Sequence, residues 1–304
     1  MKIHDFILLA GALAIAACAP DQGRTRTASA ETTRPVVGEP GLEQGSIELP
    51  TGIRMSYRAR GNPGGQPVIL LHGYSDSGYS WSRVLPLLPD EFRVFAPDLR
   101  GHGTTSRAND YSMTAMAGDV LAFMDALDVE RATIVGHSMG GLVAQQVAAT
   151  SPDRVSALVL VATATTLLSY PGIKELEAAV MGLTDPVDPE FIREFQESTV
   201  FHPVPVGFMD SAIGESARLS AETWQGVFRG MAGTPPARIP RGIPTLIFWG
   251  NRDPFFPAAE QQILQEMIPG SLFKTYPETG HAVHWERPAE FAGDVVMFLR
   301  TVSR

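Results

Sequence analysis

The chain has one cysteine in 304 residues, Cys18, so no disulfide can form within it, and packing and hydrogen bonds alone must hold the fold. Lysine and arginine number 24 against 33 acidic residues, a formal charge of −9, and the basic residues do not cluster. A phosphate backbone would be repelled, which excludes nucleic acid as the partner. No apolar run reaches the roughly 18 to 20 residues that a helix needs to cross a bilayer. Metal-ligand spacing is missing too: His281 and His284 are three apart with no acidic or cysteine partner at helical spacing, so neither a metal nor an organic cofactor is expected. Internal repeats are absent. What remains is a 44% hydrophobic chain, long enough to bury a large core.

Residues 6–17 form an apolar run behind Lys2, the length of a signal-peptide core. The string Ile15-Ala16-Ala17-Cys18 that ends it resembles a bacterial lipobox, in which the cysteine is lipidated and becomes the mature N-terminus. Residues 1–17 are therefore expected to be a signal peptide, and Cys18 a lipid attachment site holding the protein at the bacterial cell envelope, on the outer-membrane or periplasmic side. Secretion after cleavage near Ala28-Ser29-Ala30 is the alternative. Residues 18–45, rich in Thr, Ala, Gly, Pro and charge, read as a disordered tether.

From residue 46 the pattern becomes structural. Two alternating runs, 46–49 and 53–58, flank Pro50-Thr51-Gly52 and predict an antiparallel hairpin at a sheet edge. Unbroken apolar runs follow at 68–71, 94–96, 133–135, 157–161 and 245–249, as expected of strands buried on both faces. Helical spacing separates them. Met116, Val120, Met124 and Leu127 share one face behind a Ser112 cap, and the last helix starts at Pro288 with Phe291, Val295 and Leu299 turned inward. Such alternation predicts an α/β fold with a mostly parallel central sheet flanked by helices.

The interval 163–239 has no apolar strand, only helical stretches at 174–181, 190–198 and 221–232. It is expected to be a helical cap inserted after the sixth strand, between core segments 46–162 and 240–304. Its apolar residues Phe191, Phe195, Phe201, Val204, Val206, Phe208 and Met209 would line a pocket or, for most of them, pack the cap onto the sheet.

One stretch organises the rest. A β-branched run ends in Gly136-His137-Ser138-Met139-Gly140-Gly141, and a helical pattern starts at once, so Ser138 stands on a strand-to-helix turn. Glycines two residues to either side suit a sharp elbow where side chains would collide. The string is similar to the nucleophile elbow of the α/β-hydrolase family, and the chain resembles that family from about residue 46 to its end, apart from the cap.

The resemblance implies the α/β-hydrolase fold and a chain order of serine, acid, histidine. Three histidines follow the serine. His281, in Glu278-Thr279-Gly280-His281 after the run 272–276, is where the family carries its base; His284 and His202 are the other candidates. The acid is expected after the seventh strand, where Gly250-Asn251-Arg252-Asp253-Pro254 offers Asp253. A backbone oxyanion hole would use the N–H groups of Met139 and of Tyr74, the latter in His72-Gly73-Tyr74-Ser75-Asp76. Asp98 and His102 are read as turn architecture, and His72 as a backbone-bonding residue. A serine nucleophile points to acyl transfer on a small carboxylic ester or lactone. Two alternatives stay open: hydrolysis of a carbon–carbon bond in a vinylogous diketone by the same triad, and a non-catalytic ligand-binding module.

Overall fold

The computed structural model describes residues 41–167 and 171–302. The expected signal peptide, the Cys18 lipidation site and all but the end of the expected tether lie outside the described residues. Eight strands run in the order β1 (Leu42–Glu48), β2 (Arg54–Gly61), β4 (Phe92–Pro97), β3 (Gln66–Leu71), β5 (Ala132–His137), β6 (Val155–Val161), β7 (Thr245–Gly250) and β8 (Leu272–Tyr276) across one sheet. The β1–β2 and β2–β4 pairs are antiparallel and every later pair is parallel. This is the α/β-hydrolase fold: an eight-stranded, mostly parallel sheet flanked by helices.

Period-two alternation divides the sheet between two cores. Ile69, Leu71, Ile134, Leu158, Leu160 and Ile247 face α1 (Met113–Ala126) and α2 (Met139–Thr150). Their neighbours Val68, Leu70, Val135, Val159 and Phe248 face the opposite layer, where Phe291, Val295 and Leu299 of the last helix close the core with Trp81. Both faces are buried, which is why these strands read as unbroken apolar runs. Ser112 caps α1 as its sequence predicts, its side chain accepting from the Ala115 N–H at 3.2 Å.

Between β6 and β7 stand α3 (Pro171–Met181), α4 (Pro189–Ser198), α5 (Val206–Ser216) and α6 (Ala221–Ala232). Two boundaries differ from expectation. Helix α5 has no counterpart in the helical stretches read from sequence, because Gly207 and Gly214 dilute its pattern and Ser211 bonds back to the Gly207 carbonyl. Strand β1 begins at Leu42, four positions before the expected hairpin. Its early residues carry no alternation signal: Gly45 lies against the Tyr57 ring, and Glu43 is held by a forked pair from Arg93 at 2.7 and 2.9 Å. After β7 come α7 (Ala258–Met267), the short α8 (Val283–Glu286) and α9 (Pro288–Val302).

Candidate active site

Strand β5 ends and α2 begins within one residue, and that residue is Ser138, at φ 50° and ψ −114°. A non-glycine residue there costs about 1–3 kcal/mol and persists only when its surroundings over-determine it. They do so here. The Ser138 N–H donates to the Val161 carbonyl at 2.9 Å, while its own carbonyl accepts from Thr163 Oγ1 at 2.7 Å and from the Gly141 N–H at 2.9 Å. A Cβ on Gly136 would lie 2.3 Å from the Gly140 carbonyl oxygen, and one on Gly140 would lie 2.4 Å from that of Leu71, so the elbow closes only with glycine at both places.

Asp253 sits in the turn after β7, its side chain wholly buried. One carboxylate oxygen accepts from the Phe255 and Phe256 N–H groups at 2.8 and 3.1 Å; the other takes His281 Nδ1 at 2.9 Å. His281, 4% exposed, is further packed by the rings of Phe255 and His137 at 4.8 Å each. Ser138 and His281 line one cavity, together with Tyr74 and Met139. Among the described residues, neither the Tyr74 nor the Met139 N–H is paired with a protein acceptor. The structure thus brings together all five positions singled out downstream of the tether, and His284 and His202 are not among them.

The family model for the alpha/beta hydrolase fold matches residues 66–199 and 206–288. The chain belongs to the α/β-hydrolase family. Solved structures similar to it include a hydrolase from Pseudomonas aeruginosa PA01, 28% identical over 84% of this chain and 98% of that one with a TM-score of 0.74. A thermophilic esterase from Thermogutta terrifontis is 27% identical over 86% and 99%, with a TM-score of 0.74. A meta-cleavage product hydrolase from Pseudomonas fluorescens IP01 is 27% identical over 84% and 97%, with a TM-score of 0.69.

Four further histidines of this α/β-hydrolase are buried: His72, His102, His137 and His284. His72 accepts from the Leu99 N–H at Nε2 and donates to the Gly73 carbonyl at Nδ1, as expected of a backbone-bonding residue. Burial pushes its pKa down to about 4 and that of His102 down to about 3. Burial likewise holds His137 and His284 well below the ordinary histidine range, so all four are neutral near pH 7. Asp98 ties the turn together, accepting from the Gly78 and Thr104 N–H groups.

Of the seven cap residues, only Phe195 lines the cavity. Phe191 meets Trp224, whereas Val204, Phe208 and Met209 pack around Trp285, and Phe201 and Val206 face solvent. Packing is the commoner role, as expected.

Four polar residues in and around the site carry no local sequence signal. Gln196 of α4 donates to Ser75 Oγ at 3.2 Å, to Asp76 at 3.1 Å and to Ser216 Oγ of α5 at 2.7 Å, and Ser216 Oγ donates to the Ser75 carbonyl at 3.0 Å. This buried knot ties two cap helices to the loop that presents the Tyr74 N–H. Glu286 accepts from the N–H groups of Phe201, His202 and Gly280, fastening the cap to the loop of His281. Asp76 shares the cavity wall with Ser138.

Proposed function

We propose that this α/β-hydrolase is a serine hydrolase of carboxylic esters or lactones. The supporting observation is the 2.9 Å bond from His281 Nδ1 to a fully buried Asp253, with Ser138 in the same cavity wall on a strained turn. A serine hydroxyl is a weak nucleophile until a base takes its proton as it attacks. His281 Nε2 takes that proton; Asp253 keeps the other nitrogen protonated and stabilises the imidazolium. The carbonyl oxygen gains charge beside the Tyr74 and Met139 N–H groups, which need no reorganisation to receive it. His281 then protonates the departing alcohol, water attacks the acyl-enzyme with the same base, and the acid leaves with Ser138 restored.

Serine at the elbow favours acyl transfer, because displacement at an alkyl carbon in similar folds needs a carboxylate nucleophile. Leu142, Leu167, Ile173, Leu176, Phe228 and Met231 give the cavity an apolar wall suited to a medium-length acyl chain. Each methylene buried there is worth about 0.8 kcal/mol, or about fourfold in kcat/KM. A series of p-nitrophenyl esters from acetate to laurate is therefore expected to climb about fourfold per methylene, then fall once the wall is filled. Failure to hydrolyse any of these esters or a lactone would sink the reading. The meta-cleavage product hydrolase neighbour supports a second reading, carbon–carbon hydrolysis of a vinylogous diketone, which would show as faster turnover of such a dienol than of every ester. For location, the lipobox string ending at Cys18 supports a lipid anchor on a bacterial envelope membrane.

A further inference from the structure

Inside the cavity the polar groups are few, and no lysine or arginine stands among the described residues that line it. Two buried carboxylates flank the reacting centre. Asp253 has both oxygens engaged, by backbone N–H groups and by His281. Asp76, 5% exposed, accepts from Gln196 at Oδ1 at 3.1 Å and is also held by the Gly73 N–H, and unlike Asp253 it lines the cavity itself. It lies two residues past Tyr74, on the loop that presents the oxyanion donor. Around it the wall is aromatic, with Tyr74, Phe195, Phe255, Phe256 and Trp285, whose ring faces are negative.

We propose that Asp76 is a specificity-determining residue, which selects esters carrying a cationic or hydrogen-bond-donating group near the scissile carbonyl and turns away esters carrying a carboxylate. A buried carboxylate with two donors keeps acceptor capacity to spare, and a substrate ammonium or hydroxyl in the cavity fills it. A substrate anion meets a like charge in a water-poor cavity with no cation to offset it. At a separation of a few ångströms, that difference is worth on the order of 100-fold in relative kcat/KM.

The carboxyl also titrates in a useful range, because burial pushes its pKa up to about 7 against the opposing bonds from Gln196 and the Gly73 N–H and the nearby His281. The other titratable groups facing it are His137, held neutral by burial, and Tyr74, pushed well above the ordinary tyrosine range. Helices α4 and α5 present Gln196 and Ser216, which do not titrate. Above pH 7 Asp76 is charged and discriminates; below it, the neutral carboxyl does so less. Because the same base acts on every substrate, whatever pH does to it scales all three rates alike and cancels from a ratio.

This inference rests on the ester reading above, and the experiment separates the two. Methyl pentanoate, methyl 4-aminobutyrate and monomethyl succinate match in length and differ in charge. With each rate normalised to methyl pentanoate, the wild-type enzyme at pH 8.5 is expected to favour the aminobutyrate over the succinate by on the order of 100-fold in kcat/KM. That ratio should fall at least about tenfold at pH 6, and about as far in Asp76→Asn at pH 8.5. A merely structural role would lower all three rates together and leave the ratio alone. Brisk turnover with a ratio indifferent to pH and to Asp76→Asn overturns the role of Asp76 alone, whereas wild type inert toward all three esters overturns the ester reading beneath it. Should the variant fail to fold, the wild-type pH series decides.

Discussion

Ser138→Ala is expected to lower kcat on an activated ester by about 10⁴- to 10⁶-fold while the folded structure persists. The size follows from what is removed: without Oγ there is no covalent path, and only the oxyanion donors and substrate binding remain to speed attack by water. The persistence follows from how the elbow is held. Its strained backbone is fixed by the bonds of the Ser138 N–H and carbonyl to Val161, Thr163 and Gly141, all of which alanine keeps. No cap bond from the Ser138 side chain to the helix backbone is present to be lost. Thermal unfolding should therefore shift by no more than a few degrees, consistent with a change of about 1 kcal/mol or less. Turnover within tenfold of wild type, in a folded variant, would remove Ser138 from the mechanism.

Asp253→Asn is expected to cost about 10⁴-fold in kcat. The turn itself survives, because an asparagine carbonyl can still accept from the Phe255 and Phe256 N–H groups now bonded to Oδ1. That constraint leaves the amide NH₂ facing His281 Nδ1, where Oδ2 now lies at 2.9 Å. A donor at that position forces the imidazole proton onto Nε2, so the nitrogen that should take the Ser138 proton already carries one. The loss should therefore appear in kcat more than in KM, with little change in unfolding temperature. A loss under about tenfold would assign the acid to another residue.

Most of the candidate site's frame was legible because each part depends on short-range rules. The Gly136 and Gly140 spacing answers to steric closure of one turn, and the strand runs are unbroken because both sheet faces are covered. Asp253 and His281 could be found from chain order once the elbow was recognised, since each follows a strand end. The cap was harder to read. Gln196 and Asp76 meet across 120 residues of chain and Ser216 and Ser75 across 141, and nothing near any one of them announces the others. Glu286 is similar: in sequence it is an ordinary charge at the end of a short helix, and in the fold it gathers three backbone donors from two segments. Helix α5 escaped because its glycines weaken the pattern, and the first residues of β1 because an edge strand facing solvent needs no alternation.

The account stands on Ser138 becoming acylated, and trapping that bond tests it most directly. A p-nitrophenyl alkylphosphonate, which reacts with an activated serine but is not released by water at a comparable rate, should add one phosphonyl group per chain in step with loss of activity. Peptide mass mapping should place that group on Ser138, with no adduct in Ser138→Ala and slow labelling in Asp253→Asn. A phosphonyl group on any other residue, or full inactivation with Ser138 unmodified, would contradict it.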